Sequence, residues 1–124
     1  MTPSKINILQ SVDSQIEKVF DVHLISDVNE SQVKVAKFGV DGAWHSHPAE
    51  DGAFLVMRGR VAFDFRDNTV EIGEGEILVV NRGIEHRARA LTHEPVVLIF
   101  EPTSIMKPSD AAGNLVATNL KRLT

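Results

Sequence analysis

His45 and His47 stand two apart, and His86 lies 39 residues beyond His47. Residues i and i+2 of a β-strand project from the same face, so the imidazoles of His45 and His47 can reach one metal ion. His86 opens the run His86-Arg87-Ala88-Arg89-Ala90. The same alternation sets Ala88 and Ala90 beside it, and those small side chains leave room inside a barrel for a ligand or substrate. Neutral imidazoles suit a divalent transition metal: zinc, iron, nickel, manganese or copper, with nothing in the residue types to choose among them. Cys is absent. A disulfide scaffold, a thiolate zinc finger and a catalytic thiol are therefore excluded, and any metal is held by imidazoles.

The residues between Val33 and Glu101 supply the frame. Turn signals recur at Asp41-Gly42, Asp51-Gly52, Arg58-Gly59, Asp67-Asn68, Gly73-Glu74-Gly75 and Arg82-Gly83. Between them Val61, Phe63 and Phe65 share one face while Arg60, Asp64 and Arg66 share the other, the period of a half-buried strand. Ile77 to Val80 and Val96 to Phe100 are continuous apolar runs, as expected of strands covered on both faces. Many short strands at such spacing predict an all-β sandwich or barrel. Asp67-Asn68 and Gly73-Glu74-Gly75 read as tight hairpin turns. Near the N-terminus Val12, Ile16, Val19 and Phe20 fall at helical spacing, with Ser11 or Asp13 as cap. A short helix before residue 18, then a strand over Val19 to Ile25, is the favoured division.

With 124 residues and no linker or internal repeat, the chain reads as one domain with a sizeable core. Its 13 Lys and Arg against 17 Asp and Glu leave a net charge of −4, which argues against a nucleic-acid partner. The longest apolar run, Val96 to Phe100, is too short to span a membrane, and no signal-peptide core precedes it. A cytoplasmic location is the expectation.

The flanks of the histidines carry a resemblance. Gly39 is followed by five residues and then His45-Ser46-His47, with Gly52 and, after six intervening residues, Gly59 beyond. Gly75 is followed by five residues, Asn81-Arg82-Gly83, and then His86. This pair of motifs resembles those of the cupin superfamily over about residues 18–102. The stretches Trp44 to His47, Phe63 to Thr69 and Ile99 to Pro102 look like its mannose-6-phosphate-isomerase-like group. The resemblance implies a double-stranded β-helix, or jelly-roll, barrel with a short N-terminal helix or extended segment and a C-terminal arm over 103–124. It also implies metal ligands at His45, His47 and His86.

Three positions depart from that pattern. The family's metal-binding glutamate falls at Gly52, its second-motif proline at Asn81 and its asparagine at Ala90. Glu50 has the strand parity of position 52 and is the possible substitute ligand, whereas Asp51 points away. Trp44, Phe54, Val56, Phe63 and Phe65 read as wall and core. Arg87 and Arg89 fall opposite His86, outside the barrel. Glu101 has the parity of Val97 and Ile99 and reads as a structural group before Pro102, with a polar position at the barrel mouth as the other option. His23 and His93 lie outside both motifs.

Three functions stay open. The chain is a barrel that binds a metal and a small molecule without turnover, a metal-dependent isomerase, dioxygenase or lyase acting on a small polar or sugar-like substrate, or a structural dimer with a vestigial site. No internal carboxylate is evident as a general base, which counts against the enzyme. The resemblance and the need to cover sheet edges both point to a homodimer.

Overall fold

The computed structural model of the chain describes residues 2–103, 107–108, 115–116 and 120–124. Helix α1 (Ile8–Gln15) precedes β1 (His23–Val28), β2 (Ser31–Lys37), β3 (Gly52–Arg58), β4 (Arg60–Phe65) and β5 (Thr69–Gly73). After these come β6 (Ile77–Val80), β7 (His86–Ala90), β8 (Val96–Pro102) and two short pieces, β9 (Lys107–Pro108) and β10 (Leu115–Val116). Most of the expected arm over 103–124 lies outside the described residues.

Two antiparallel sheets face each other as a jelly-roll barrel. One has the strand order β1-β2-β8-β3-β6, the other β5-β4-β7. Because side chains alternate along each strand, one face of every strand feeds the space between the sheets. Ala36, Phe54, Val56, Val61, Phe63, Val97 and Ile99 meet there as one buried cluster.

The larger sheet also buries its outer face. Val35, Val96 and Leu98 pack against Val12 of α1, against Ile16 just after the helix, and against Leu123 near the C-terminus. This double coverage explains the unbroken apolar run of β8, whose Val96, Val97, Leu98 and Ile99 are all buried. The same expectation fails for β6. It lies at the sheet edge, and Ile77 and Val79 are 56% and 54% exposed because nothing among the described residues covers them.

Other boundaries also differ from expectation. Helix α1 is capped by Asn7, whose side chain accepts from the Gln10 N–H at 3.1 Å. Asp13 instead holds Arg58, at 2.8 and 3.1 Å. Residues 19 and 20 form a turn, and the first strand begins only at His23. Asp67-Asn68 does lie in a hairpin turn, since β4 pairs with β5. Gly73-Glu74-Gly75 does not, because β5 and β6 belong to different sheets and the turn carries the chain from one to the other.

Candidate functional site

His86 is the first residue of β7 and points into the barrel, 2% exposed. The exposed edge of β7 is covered by residues 39–47, which run beside it without forming a regular strand. The Ala90 N–H donates to the Gly39 carbonyl at 2.7 Å, and the Gly83 N–H to the His47 carbonyl at 2.9 Å. His45 and His86 exchange both backbone hydrogen bonds, each 2.9 Å. The expected strand through His45 and His47 is thus a single bridge at His45. Pro48, which has no N–H to donate, and the turn at Gly83, which takes the His47 carbonyl, stop the ladder there. Two glycines permit this geometry. A Cβ on Gly42 would run into the Ala88 carbonyl, and Gly83 turns with φ +79°, the left-handed region that glycine enters freely.

This bridge brings the three rings together. Ring centroids lie 4.4 Å apart for His45 and His86, 5.2 Å for His45 and His47, and 6.4 Å for His47 and His86. Two rings are oriented by their own loops. The Ala43 and Ile84 carbonyls each accept from an Nδ1, of His45 and His86 respectively, both at 2.9 Å. A carbonyl only accepts, so in the neutral rings the proton sits on Nδ1 and the Nε2 lone pair is left bare. Orientation of this kind is what metal-ligating histidines receive from surrounding groups. Nε2 of His86 is buried with no hydrogen-bond partner among the described residues, which is costly unless something else occupies it.

Burial favours the neutral form of two of the rings, those of His86 and His47. Burial pushes the pKa of His86 down to about 4, with the two neighbouring histidines adding to the effect. Burial also lowers His47, against an opposing pull from Glu101 and a lesser one from Glu50. The donor set therefore fits a divalent ion in chemistry and, for His45 and His86, in tautomer. In spacing it fits in part. An ion about 2.0–2.1 Å from each Nε2 sets centroids roughly 4.5–5.2 Å apart, so the His47–His86 pair stands wide by about an ångström. Among the described residues no group of three or more His, Asp or Glu is closed to coordination distance.

The three histidines open onto a cavity of about 340 Å³ between the sheets, within the range of small-molecule sites. Phe20, Phe38, Phe54 and Phe63 make its walls apolar, and Ala88 supplies the small floor expected from the sequence. Three charged groups also border it, Lys34, Asp41 and Glu101, and Lys34 and Glu101 are paired. Their ion pair, 3.1 Å between Nζ and Oε1, is 5% and 11% exposed at the side chains. The sequence reading missed this pair as an internal group. Glu101 had the right parity beside Val97 and Ile99. Lys34, which alternates with Ala36 and Phe38 on the inner face, was hidden because Val33 and Val35 on the other face are as apolar as a core.

The remaining candidates divide by place. Glu50 borders a second, water-sized space of about 10 Å³ together with His47, Gly52, Asn81, His86 and Glu101. Asp51 turns away, accepting from the Arg82 N–H at 2.8 Å. Trp44 lies outside the cavity beneath Arg66, whose guanidinium carbon is 3.8 Å from the ring centroid. Arg87 and Arg89 bond Asp64 on the outer face at 2.9 and 2.7 Å. Arg89, with Thr69 and Arg87, holds that carboxyl well below the usual carboxylate range. His93 is exposed, and His23 is buried beside Asp21.

Residues 31–101 match the model of the Cupin domain family. A Bacillus subtilis protein, YdbB, is 31% identical over 88 residues, covering 70% of this chain and 78% of its own. The crystal structure of a cupin-2 domain-containing protein from Shewanella frigidimarina superposes with a TM-score of 0.74 at 31% identity, over 78% of this chain and 93% of that one. A Neisseria meningitidis protein superposes with a TM-score of 0.71 at 27% identity, over 80% and 99%.

Proposed function

The chain belongs to the cupin domain family, and from that premise we propose that it is a metal-binding barrel which presents a divalent transition ion to a small molecule in its cavity. His45, His47 and His86 are the ligands. The observation that carries this reading is the bare, buried Nε2 of His86, set 4.4 Å ring to ring from His45 with both Nδ1 protons tied to backbone carbonyls. Metal binding on this reading requires His47 to move toward His86, whose ring centroid is 6.4 Å away. When bound, the ion supplies Lewis acidity and an open position for water or ligand.

The ligand class follows from the walls. Four phenylalanines bury an apolar or ring-shaped body, while Lys34 and Glu101 address polar groups at one side. A sugar-like molecule fits that division and agrees with the mannose-6-phosphate-isomerase-like resemblance of the motifs. Turnover is the second reading. It gains support from the internal Lys34–Glu101 pair, since a carboxylate and an ammonium beside a substrate cavity are acid–base groups.

Metal analysis of untagged protein that has never met a chelator tests the proposal. About one equivalent of a transition metal, or uptake to that level on titration, is the expected result. Under about a tenth of an equivalent with no uptake overturns it.

We also read the β6 edge as the surface through which two copies pair. Its Ile77 and Val79 are exposed on an edge strand that pairs only with β3 among the described residues, a combination that proteins normally cover.

A further inference from the structure

Gly52 opens β3 at the point where a ligand carboxylate would be useful, and it has no side chain to offer. Its neighbour across the sheet does. Strand β3 pairs with β8 in a register that sets Ala53 against Phe100, so the antiparallel ladder sets Gly52 beside Glu101. Glu101 alternates with Val97 and Ile99 of the inner cluster and faces the same cavity. One carboxylate oxygen, Oε1, accepts from Lys34 Nζ at 3.1 Å. The other, Oε2, lies 3.3 Å from the place a Cβ on Gly52 would take. It therefore fills the volume that a side chain at position 52 would fill.

We propose that Glu101 is the fourth ligand of the histidine site, a carboxylate delivered from β8 in place of the one missing from β3. Four observations converge on it. Glu101, His47, His86 and Gly52 all border the same water-sized space. That space holds one small species and is lined by donors on several sides. The absence of a side chain at Gly52 is what admits the carboxylate. Lys34 holds Oε1 and leaves the lone pairs of Oε2 for an ion.

Lys34 gives this site a character of its own. Three neutral imidazoles and one carboxylate lower the charge of a divalent ion by one. A buried ammonium on the same carboxylate restores that unit, so the ion keeps more of its Lewis acidity than a carboxylate ligand would ordinarily leave. Lys34 and the metal also compete for Glu101. Removing the lysine should strengthen metal binding, whereas removing the carboxylate should weaken it.

The inference rests on the metal-binding reading, and the experiment separates the two. Cobalt(II) is titrated into full-length protein and its variants, followed by the visible d–d absorption, with zinc(II) competition for affinity. Glu101→Gln keeps size and an oxygen for Lys34. It is expected to weaken cobalt binding about tenfold or more and to change the shape of the absorption envelope. Glu50→Gln is expected to stay within about threefold of the parent, and Lys34→Met to bind more tightly. The double variant Gly52→Glu/Glu101→Ala moves the carboxylate back to β3 and is expected to recover most of the affinity. This exchange also guards against a Glu101→Gln protein that folds poorly.

Parental affinity and an unchanged spectrum in Glu101→Gln overturn the inference and leave the histidine site standing. So does a loss that appears in Glu50→Gln instead. If the parent protein takes up no cobalt or zinc, the metal-binding reading falls and this inference with it.

Discussion

The carboxylate of Glu101 stands 3.3 Å from where a side chain on Gly52 would begin, although the two residues are 49 apart in the chain. This proximity changes what a substitution at position 52 does. Gly52→Glu does not enter a vacant volume. It brings a second carboxylate against the first in a space of about 10 Å³. We expect the metal-free variant to lose about 1–3 kcal/mol of stability to crowding and like-charge repulsion. A divalent ion relieves the repulsion, so zinc should raise the melting temperature of the variant more than that of the parent. Differential scanning fluorimetry with and without zinc reads both quantities, and an unaltered metal-free melting temperature would count against the assignment of that volume to Glu101.

Gly42 is a second position where backbone approach matters. A Cβ there runs into the Ala88 carbonyl, and relief requires moving residues 39–47 away from β7. Gly42→Ala is expected to cost about 2–3 kcal/mol and to weaken metal binding, because the same movement breaks the His45–His86 bridge. Chemical denaturation and zinc titration of one preparation test the pair of effects. Loss of stability with full metal affinity would show that the bridge does not set the site.

The pH dependence of the metal-free protein follows from His86. Its folded pKa of about 4 lies below the ordinary value of 6.5. Between those values the unfolded chain binds the proton more readily, so falling pH favours unfolding. The stability that neutral His86 contributes is complete above about pH 6.5 and is lost progressively toward pH 4. A shift of this size corresponds to about 3 kcal/mol. Denaturant unfolding at pH 7 and pH 4.5 should show the loss, and His86→Gln should reduce it. An equal loss in the variant would place the titration on other groups.

The exposed edge of β6 makes a prediction about assembly. Ile77→Lys with Val79→Lys places two charges on this edge strand without touching the barrel interior. If two copies pair through this edge, light scattering should report a dimer for the parent and a monomer for the variant, with similar far-ultraviolet circular dichroism. A parent that is monomeric at micromolar concentration removes the proposal.

The fold was legible because its signals are local. Alternation in β4, turn residues at Asp67-Asn68 and the spacing around three histidines all act within a few residues. The carboxylate beside the histidines was not legible, for a physical reason. A pairing register joins residues far apart in sequence, and it alone brings Glu101 beside Gly52. Lys34 was hidden by a related effect. Helix α1 buries the outer face of β2, so Val33 and Val35 mimic a core face, and the lysine between them looks outward when it points in. The exposure of Ile77 and Val79 escaped notice in the same way, since a continuous apolar run does not reveal which strand lies at the edge of its sheet.

The central claim is that His45, His47 and His86 hold a metal ion, and the anomalous scattering of a cobalt-saturated crystal at the cobalt absorption edge tests it most directly. The expected result is one peak about 2.0–2.2 Å from the Nε2 atoms of the three histidines, with a Glu101 carboxylate oxygen completing the set. An anomalous map with no peak among these residues, from a crystal whose soak labels other sites, would contradict it.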